Sequence, residues 1–379
     1  MQLKLDRISL FNFKNWEEHS QIIVNPFICL LGANGTGKTN FLDAIYYLCT
    51  SKSYFNNVDS LHIGHHHEQA SIAGEFLRDG ANEQIICILR RGQKKVLKRN
   101  FKEYERMADH IGLIPVVMIT PYDIELVWEG SAHRRKFMDG ALCQTDKAYL
   151  QNWSSYNQAL LQRNSLLRLQ GVSTSQIADQ IEPWNKLLAS IAPMMYKSRL
   201  NWTNHISYHT KTIYELISGG NEAVDLIYES DLSNDPEPHK LWEDLDQDLQ
   251  AGRTRKGIHR DELQFMLSGK PLKKFGSQGQ QKSFLMAVKL AQLLYMQEQL
   301  QLTPILLLDD IFDKIDEKRI LRILQWLKDR FQGQVFVTDT SRHRLPNLMK
   351  KINVMPQLIF TSIQDEMDNT PSEESAHLE

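Results

Sequence analysis

The sequence predicts an α/β fold with a parallel sheet, split by a long helical insertion. Three observations carry this reading. The stretch GANGTGKT (Gly32 to Thr39) follows the apolar run FICLL and precedes a helical pattern. A second apolar run, ILLLDD, ends on Asp309 and Asp310, about 270 residues after Lys38. Between Gly130 and Gly219 the pattern is helical with few breakers.

In chain order, LKLDRISL alternates apolar and charged residues, and QIIV and FICLL are short apolar runs, so all three read as strands. A helix is expected from Thr39 to about Leu48. ASIAGEFL, QIICILRR, KKVLKRN and IPVVMIT read as further strands. After the helical insertion come a strand at Val224 to Tyr228 and a helix from Pro238 to about Leu249. ELQFML is the next strand, and GSQGQQKSF (Gly276 to Phe284) opens a helix that runs to about Leu300. The strand ILLLDD, a helix from Glu317 to Phe331 and the strand QVFVTD complete the pattern. Strands alternating with helices imply a parallel sheet. The expected segments are a head lobe over 1–122, a helical arm over 123–220, a second lobe over 221–363 and an acidic, solvated tail over 364–379.

Composition narrows the class. Of 379 residues, 42% are hydrophobic and 24% charged, as in a soluble globular protein. The four cysteines are widely spaced, which points to a reduced, cytosolic setting and to neither zinc nor a disulfide framework. The apolar runs are too short to span a bilayer, so no membrane partner is expected. The net charge of -2 conceals an asymmetry: the tail holds six acids and no Lys or Arg, leaving the body at +4 (-2 + 6). A basic patch on the body is therefore open.

GANGTGKT fits G-x-x-x-x-G-K-[ST]. The glycines let backbone N–H groups curl around phosphate oxygens. Lys38 brings a positive charge to the β- and γ-phosphates, and Thr39 offers a hydroxyl to Mg²⁺ at a helix N-terminus that favours anions. The pattern arises by chance in roughly one chain of this length in a hundred, and the flanking strand and helix make chance rarer. Asp309 emerges at the end of a buried strand, where it can hold Mg²⁺, and Asp310 would face the γ-phosphate and position water. Alone, such a strand is only a buried strand capped by acids. Its place opposite a P-loop gives it meaning. ATP and Mg²⁺ are the cofactors expected.

The order P-loop, helical insertion, S-x-G-Q, acidic strand resembles the ATP-binding-cassette ATPases of chromosome maintenance. The wording is closer still. GANGTGKTNFLDAIYYL, IGLIPVVMITPYDIELVWEGSAHRRKFMDG, GIHRDELQFMLSGKPLKKFGSQGQQKSFLMAVKLAQ and LLLDDIFDKID resemble the RecF family of bacterial recombinational repair proteins, over most of the chain up to about residue 340. The resemblance implies a split P-loop ABC-type ATPase head with an inserted helical arm. It implies phosphate contacts from Asn34, Gly35, Thr36, Gly37, Lys38, Thr39 and Asn40, and Mg²⁺ held by Thr39 and Asp309. Ser277, Gly279 and Gln280 match the signature segment, which in that class grips the γ-phosphate of a nucleotide bound to another subunit. Read alone, Ser277 is first an ordinary helix cap, and the spacing to LLLDD is what favours the signature. Asp316 matches the loop after the acidic strand, where Asp313-Lys314-Ile315 departs from the family's usual Ser-Glu-Leu. Asp310, Lys38 and Ser277 are the expected catalytic set. Transporter ATPases carry Glu where this chain has Asp310, one methylene shorter, so slow turnover is expected.

The resemblance further implies an ATP-dependent homodimer on double-stranded DNA near gaps or junctions with single strands. It implies weak, DNA-stimulated hydrolysis and work with RecO and RecR to load RecA. An ABC-type ATPase of another chromosome-maintenance or nuclease-associated system is the alternative. For DNA contact, Arg90 to Arg106 holds eight basic residues against two acids, with Arg91, Lys94, Lys95, Lys98 and Arg99 the candidates. A solvated hairpin surface would look the same. RRK (Arg134 to Lys136) is a second patch, for which an intramolecular ion-pair role is an equal alternative.

Overall fold

Alternation at the N-terminus becomes a strand with one slip. In the computed structural model, which describes residues 3–220, 222–233, 238–312 and 315–361, β1 (Leu3–Phe13) buries Leu3 and Leu5, then Ile8 and Leu10. A bulge between Leu5 and Arg7 shifts the inward phase by one residue. β2 (Trp16–Ile22), β3 (Phe27–Leu31), α1 (Lys38–Thr50), β4 (Gln69–Arg78), β5 (Ala81–Arg90), β6 (Val96–Arg99) and β7 (Lys102–Glu103) follow. Except for β3, these strands form one antiparallel sheet in the order β2-β1-β4-β5-β6-β7.

The chain then enters a second compact unit, Arg106 to Pro304. It holds β8 (Val116–Ile119), α2 (Glu125–Trp128), α3 (Ser131–Thr145), α4 (Lys147–Leu166), α5 (Thr174–Ser218), β9 (Val224–Glu229), α6 (Leu245–Ala251), β10 (Glu262–Leu267), β11 (Lys270–Pro271), α7 (Leu272–Phe275) and α8 (Gln278–Leu300). The expected arm, 123–220, and the first part of the expected second lobe, 221–304, thus share one unit, because α5 packs along α8 and β9. With 45 residues, α5 is about 68 Å long. Ser173 starts it with a capping box and Gly219 ends it in the left-handed region. Its buried stripe runs Ile191, Met195, Arg199, Trp202, Ile206, Thr210, Ile213, Ile217. The helix expected from Pro238 to Leu249 is broken: a 3₁₀ turn covers Pro238–Trp242, and Asp244 caps α6 by accepting from the Gln247 N–H.

The remaining elements return to the first unit: β12 (Ile305–Leu308), α9 (Glu317–Arg330), β13 (Val335–Asp339), α10 (Arg344–Lys351) and β14 (Gln357–Phe360). The strands β14-β3-β13-β12 are parallel. β3 and β12 are buried at every position, which explains their unbroken apolar runs. Each buried leucine there contributes about 2 kcal/mol. The Gln334 side chain joins the two sheets of this unit by accepting from the Leu5 N–H and donating to the Leu5 carbonyl, at 2.6 and 2.9 Å. No helix among the described residues is long and apolar enough to cross a membrane. Asp313, Lys314 and the acidic tail lie outside the described residues.

Candidate functional site

The end of β3 delivers the chain into a loop shaped for phosphate. Gly37 (φ 103°) and Gly35 (φ 83°) occupy the left-handed region. At Gly37 a Cβ would also sit 2.7 Å from Asn15 Nδ2 and 2.9 Å from Trp16 Nε1, so glycine is required twice over. Gly37 is the N-cap of α1 and brings no side-chain acceptor, and no acid stands in the first turn. The first N–H groups of α1 are therefore left for an anion.

Lys38 is buried, and its ammonium donates to the Gly32 and Ala33 carbonyls, both at 2.7 Å. Burial pulls its pKa down, and the charges of Asp310, Asp309 and Asp339 oppose that. Asn34 and Gly35 are exposed at the loop tip. The Thr36 hydroxyl bonds the Ala33 carbonyl and Thr361 Oγ1, and Asn40 donates to Asn15 Oδ1 at 2.7 Å.

The distant acidic pair arrives as the motif order requires. The Thr39 hydroxyl lies 3.0 and 2.9 Å from the two Asp309 oxygens. Asp309 is buried, and burial raises its pKa above the usual carboxylate range against hydrogen bonds from Thr39 and Thr338. Asp310 has φ 45°, a left-handed backbone at a non-glycine position. Such strain concentrates at functional sites. Thr338, at the end of β13, connects the two acids: its hydroxyl donates to Asp309 at 3.0 Å and accepts from the Asp310 N–H at 2.8 Å. The sequence offers one local signal for Thr338, a hydroxyl near the end of the apolar strand QVFVTD.

Its neighbour Asp339 is buried and held by Arg344 at 2.9 and 2.8 Å, whereas His343 is exposed. Asp316 caps α9 by accepting from the Arg319 N–H and pairs with the Arg319 guanidinium, both at 3.0 Å.

These donors suit Mg²⁺. Thr39 and Asp309 offer hard oxygens side by side, and no cluster of three or more metal-binding side chains exists among the described residues. A cation here would complete its shell with nucleotide oxygens and water. Replacing Thr338 with Val would unseat both acids at once. The expected result is a roughly tenfold lower kcat with the KM for ATP within about threefold, measured by steady-state ATPase assay.

In the other unit, Ser277 is the N-cap of α8. Its hydroxyl accepts from the Gln280 N–H at 3.3 Å, while the Gln280 side chain accepts from the Ser277 N–H at 2.7 Å. Gln280 also donates to Glu222 at 2.6 Å. Ser277 and Gly279 are exposed, so the first turn of α8 faces solvent with no acid on it. The cap is formed, and it leaves the first turn open. Buried Gln281 braces the turn by donating to the Gly276 carbonyl at 3.1 Å. Deeper in α8, Lys289 is buried against Asp123 at 2.7 Å and the Met118 carbonyl at 3.1 Å.

The basic stretch divides by strand phase. The inward Lys95 pairs with Asp59 at 3.1 Å, and Arg99 forms a two-pronged pair with Glu83. Arg91 donates to the His67 carbonyl at 3.0 Å. Lys94 is exposed and Lys98 half-exposed. The second basic patch is spent internally: Arg134 pairs with Glu262 at 2.8 Å and Arg135 donates to the Asp261 carbonyl at 2.6 Å.

Comparison with known proteins identifies the family. Residues 4–359 match the family described as RecF/RecN/SMC N terminal domain. The chain is 41% identical to the DNA replication and repair protein RecF of Flavobacterium johnsoniae, over 92% of this chain and 97% of that protein. It is 42% identical to RecF of Phocaeicola vulgatus, over 92% and 94%. Among solved structures, a recombination mediator protein RecF-ATP of the RecFOR pathway superposes with a TM-score of 0.81 at 26% identity, over 90% of this chain and 92% of that one. The Smc head domain of Pyrococcus furiosus, TM-score 0.55 at 16% identity over 91% and 92%, shares the fold. By the family match and by relatives covered almost end to end, the chain belongs to the RecF family of DNA replication and repair proteins, within the wider group of SMC-like ATPases.

Proposed function

We propose that the chain is an ATP-switched DNA clamp of recombinational repair. Two copies dimerise through bound ATP on duplex DNA near single-strand gaps, and slow hydrolysis releases them. With RecO and RecR as partners, the clamp helps load RecA in the cytosol. The observation that carries the reading is the split of roles between units. One holds Lys38, Thr39, Asp309 and Asp310 around an open helix N-terminus, and the other presents Ser277 and Gly279 exposed on an open helix N-terminus of its own. A γ-phosphate held by the first in one copy would be gripped by the second in another, and the symmetric solution is a two-fold dimer with two ATP. The relatives named for replication and repair, and the neighbour named as an ATP-bound recombination mediator, support this.

Within such a site Lys38 would bind the β- and γ-phosphates, and Thr39 and Asp309 would hold Mg²⁺, which supplies charge neutralisation of the phosphates. Asp310 would orient water. Its short side chain on a strained backbone suits a switch better than a motor.

Light scattering tests the clamp. Mass should double with ATP and Mg²⁺, and Ser277→Arg should abolish the doubling while ATP affinity stays within about threefold, at a helix-cap loss of about 1 kcal/mol. Equal mass with and without ATP in the unmodified protein would remove the dimer from the proposal. A basal rate of many turnovers per second would remove the switch.

A further inference from the structure

The hairpin between β6 and β7 turns over two residues. Lys98 pairs with Glu103 and Arg99 with Lys102 in the ladder, which leaves Asn100 and Phe101 as the turn. Both have positive φ, 48° and 67°, as in a type I′ turn. Asn100 suits the first position: it accepts from the Gln84 N–H at 2.8 Å and donates to Glu83 at 3.0 Å. Glycine is the ordinary choice at the second. A phenylalanine there is a backbone outlier, and burial does not account for it. Phe101 is 75% exposed and makes no ring or cation contact among the described residues.

Its surroundings indicate what the ring is for. Lys98 and Lys102 flank the turn on opposite faces of the ribbon, and neither has an ion-pair partner among the described residues. Glu103 faces Lys98 across the ladder without pairing to it. Arg99, on the inner face, is neutralised by Glu83. An apolar protein groove would receive the ring without need of the cations. A nucleic-acid strand uses both, since every base has a face for stacking and every phosphate attracts lysine.

We propose that Phe101 stacks on an unpaired DNA base whose neighbouring phosphates lie against Lys98 and Lys102. This deepens, and rests on, the DNA-binding reading above. The two-residue turn leaves the ring exposed to solvent at the hairpin tip.

The test uses the full chain with ATP, a gapped duplex carrying 2-aminopurine in the gap, and the same duplex fully paired. Phe101→Gly is the informative variant because glycine suits the turn. It should melt at a higher temperature than the parent yet bind gapped DNA about tenfold more weakly, with paired duplex affected less than about twofold. Binding should change 2-aminopurine fluorescence in the parent and in Phe101→Trp but not in Phe101→Gly. Lys98→Ala with Lys102→Ala should flatten the salt dependence on both DNAs. Equal affinity of parent and Phe101→Gly for gapped DNA would overturn the stacking and leave DNA binding intact. Failure of the parent to bind either DNA would overturn both. Loss of the ATP-dependent dimer in Phe101→Gly with unchanged DNA affinity would assign the ring to a second copy and overturn the proposal as well.

Discussion

Arg199→Met is expected to lower stability by about 3–5 kcal/mol, the usual loss when one member of a buried ionic network is removed. Arg199 lies on α5 and is buried at 3% exposure. Its guanidinium meets Asp139 on α3 at 3.0 Å, Asp261 at 2.7 Å, the Tyr149 hydroxyl at 3.0 Å and the Ile258 carbonyl at 2.6 Å. Tyr149 also donates to Asp139 and Tyr228 to Asp261, at 2.6 and 2.5 Å. One cation thus holds two buried carboxylates, from α3 and from the residue before β10, against α5. Burial alone would depress the Arg199 pKa, but Asp139, the two tyrosines and Asp261 raise it well above its ordinary value. Methionine fills the volume but leaves both carboxylates without their counter-charge.

The pH dependence gives the mechanism away. Asp261 already has a raised pKa, chiefly through burial, with Arg199 opposing the rise. Without Arg199 the folded-state pKa rises further. A carboxyl whose folded pKa exceeds its unfolded value, about 3.9, loses stability as pH rises between the two. The variant's deficit should therefore be larger at pH 8 than at pH 5, by urea titration. A deficit independent of pH would mean that lost packing, not uncompensated charge, is responsible.

That network marks where sequence reading stopped. The P-loop, the acidic strand and the capped helix at Ser277 are local motifs, each written within a few adjacent residues, so they could be located before any fold was known. Arg199 has partners 60 and 62 positions away. The stretch GIHRDEL stood out as wording, but the reason for Asp261 is supplied by α5, which comes before β9 in the chain. A signal did exist: Arg199 occupies a position in the apolar stripe between Met195 and Trp202, where an unpaired arginine would be prohibitive. The basic hairpin shows the same limit. Composition marked its cations together, and only strand phase separates Lys95 and Arg99, already paired inward, from Lys94 and Lys98. Pro238 to Leu249 reads as one helix by propensity, but the Asp244 cap restarts it.

Lys38→Met should weaken ATP binding by at least about a hundredfold, or roughly 3 kcal/mol, while leaving the nucleotide-free protein within about 1 kcal/mol of its parent's stability. The two halves of this expectation have one cause. Lys38 is a buried ammonium satisfied by two carbonyls of its own loop. Removing it deletes two charge-assisted bonds but also relieves the desolvation that lowers its pKa, so the terms offset. With nucleotide, nothing replaces it. Asp309, Asp310 and Asp339 are the charges that act on this ammonium, and a triphosphate brought among them without Lys38 meets carboxylates opposed only by Mg²⁺ and the helix N-terminus. Methionine retains an unbranched apolar stem, which separates charge from packing. Arginine retains charge but carries a planar fork that cannot reproduce the point contact at the loop carbonyls, so Lys38→Arg should recover only part of the affinity. Calorimetric titration with a non-hydrolysable analogue measures both variants. Parent-like affinity in Lys38→Met would place phosphate recognition in the backbone N–H groups alone. Any DNA binding that needs no nucleotide should survive the substitution, and only the ATP-dependent increment should be lost.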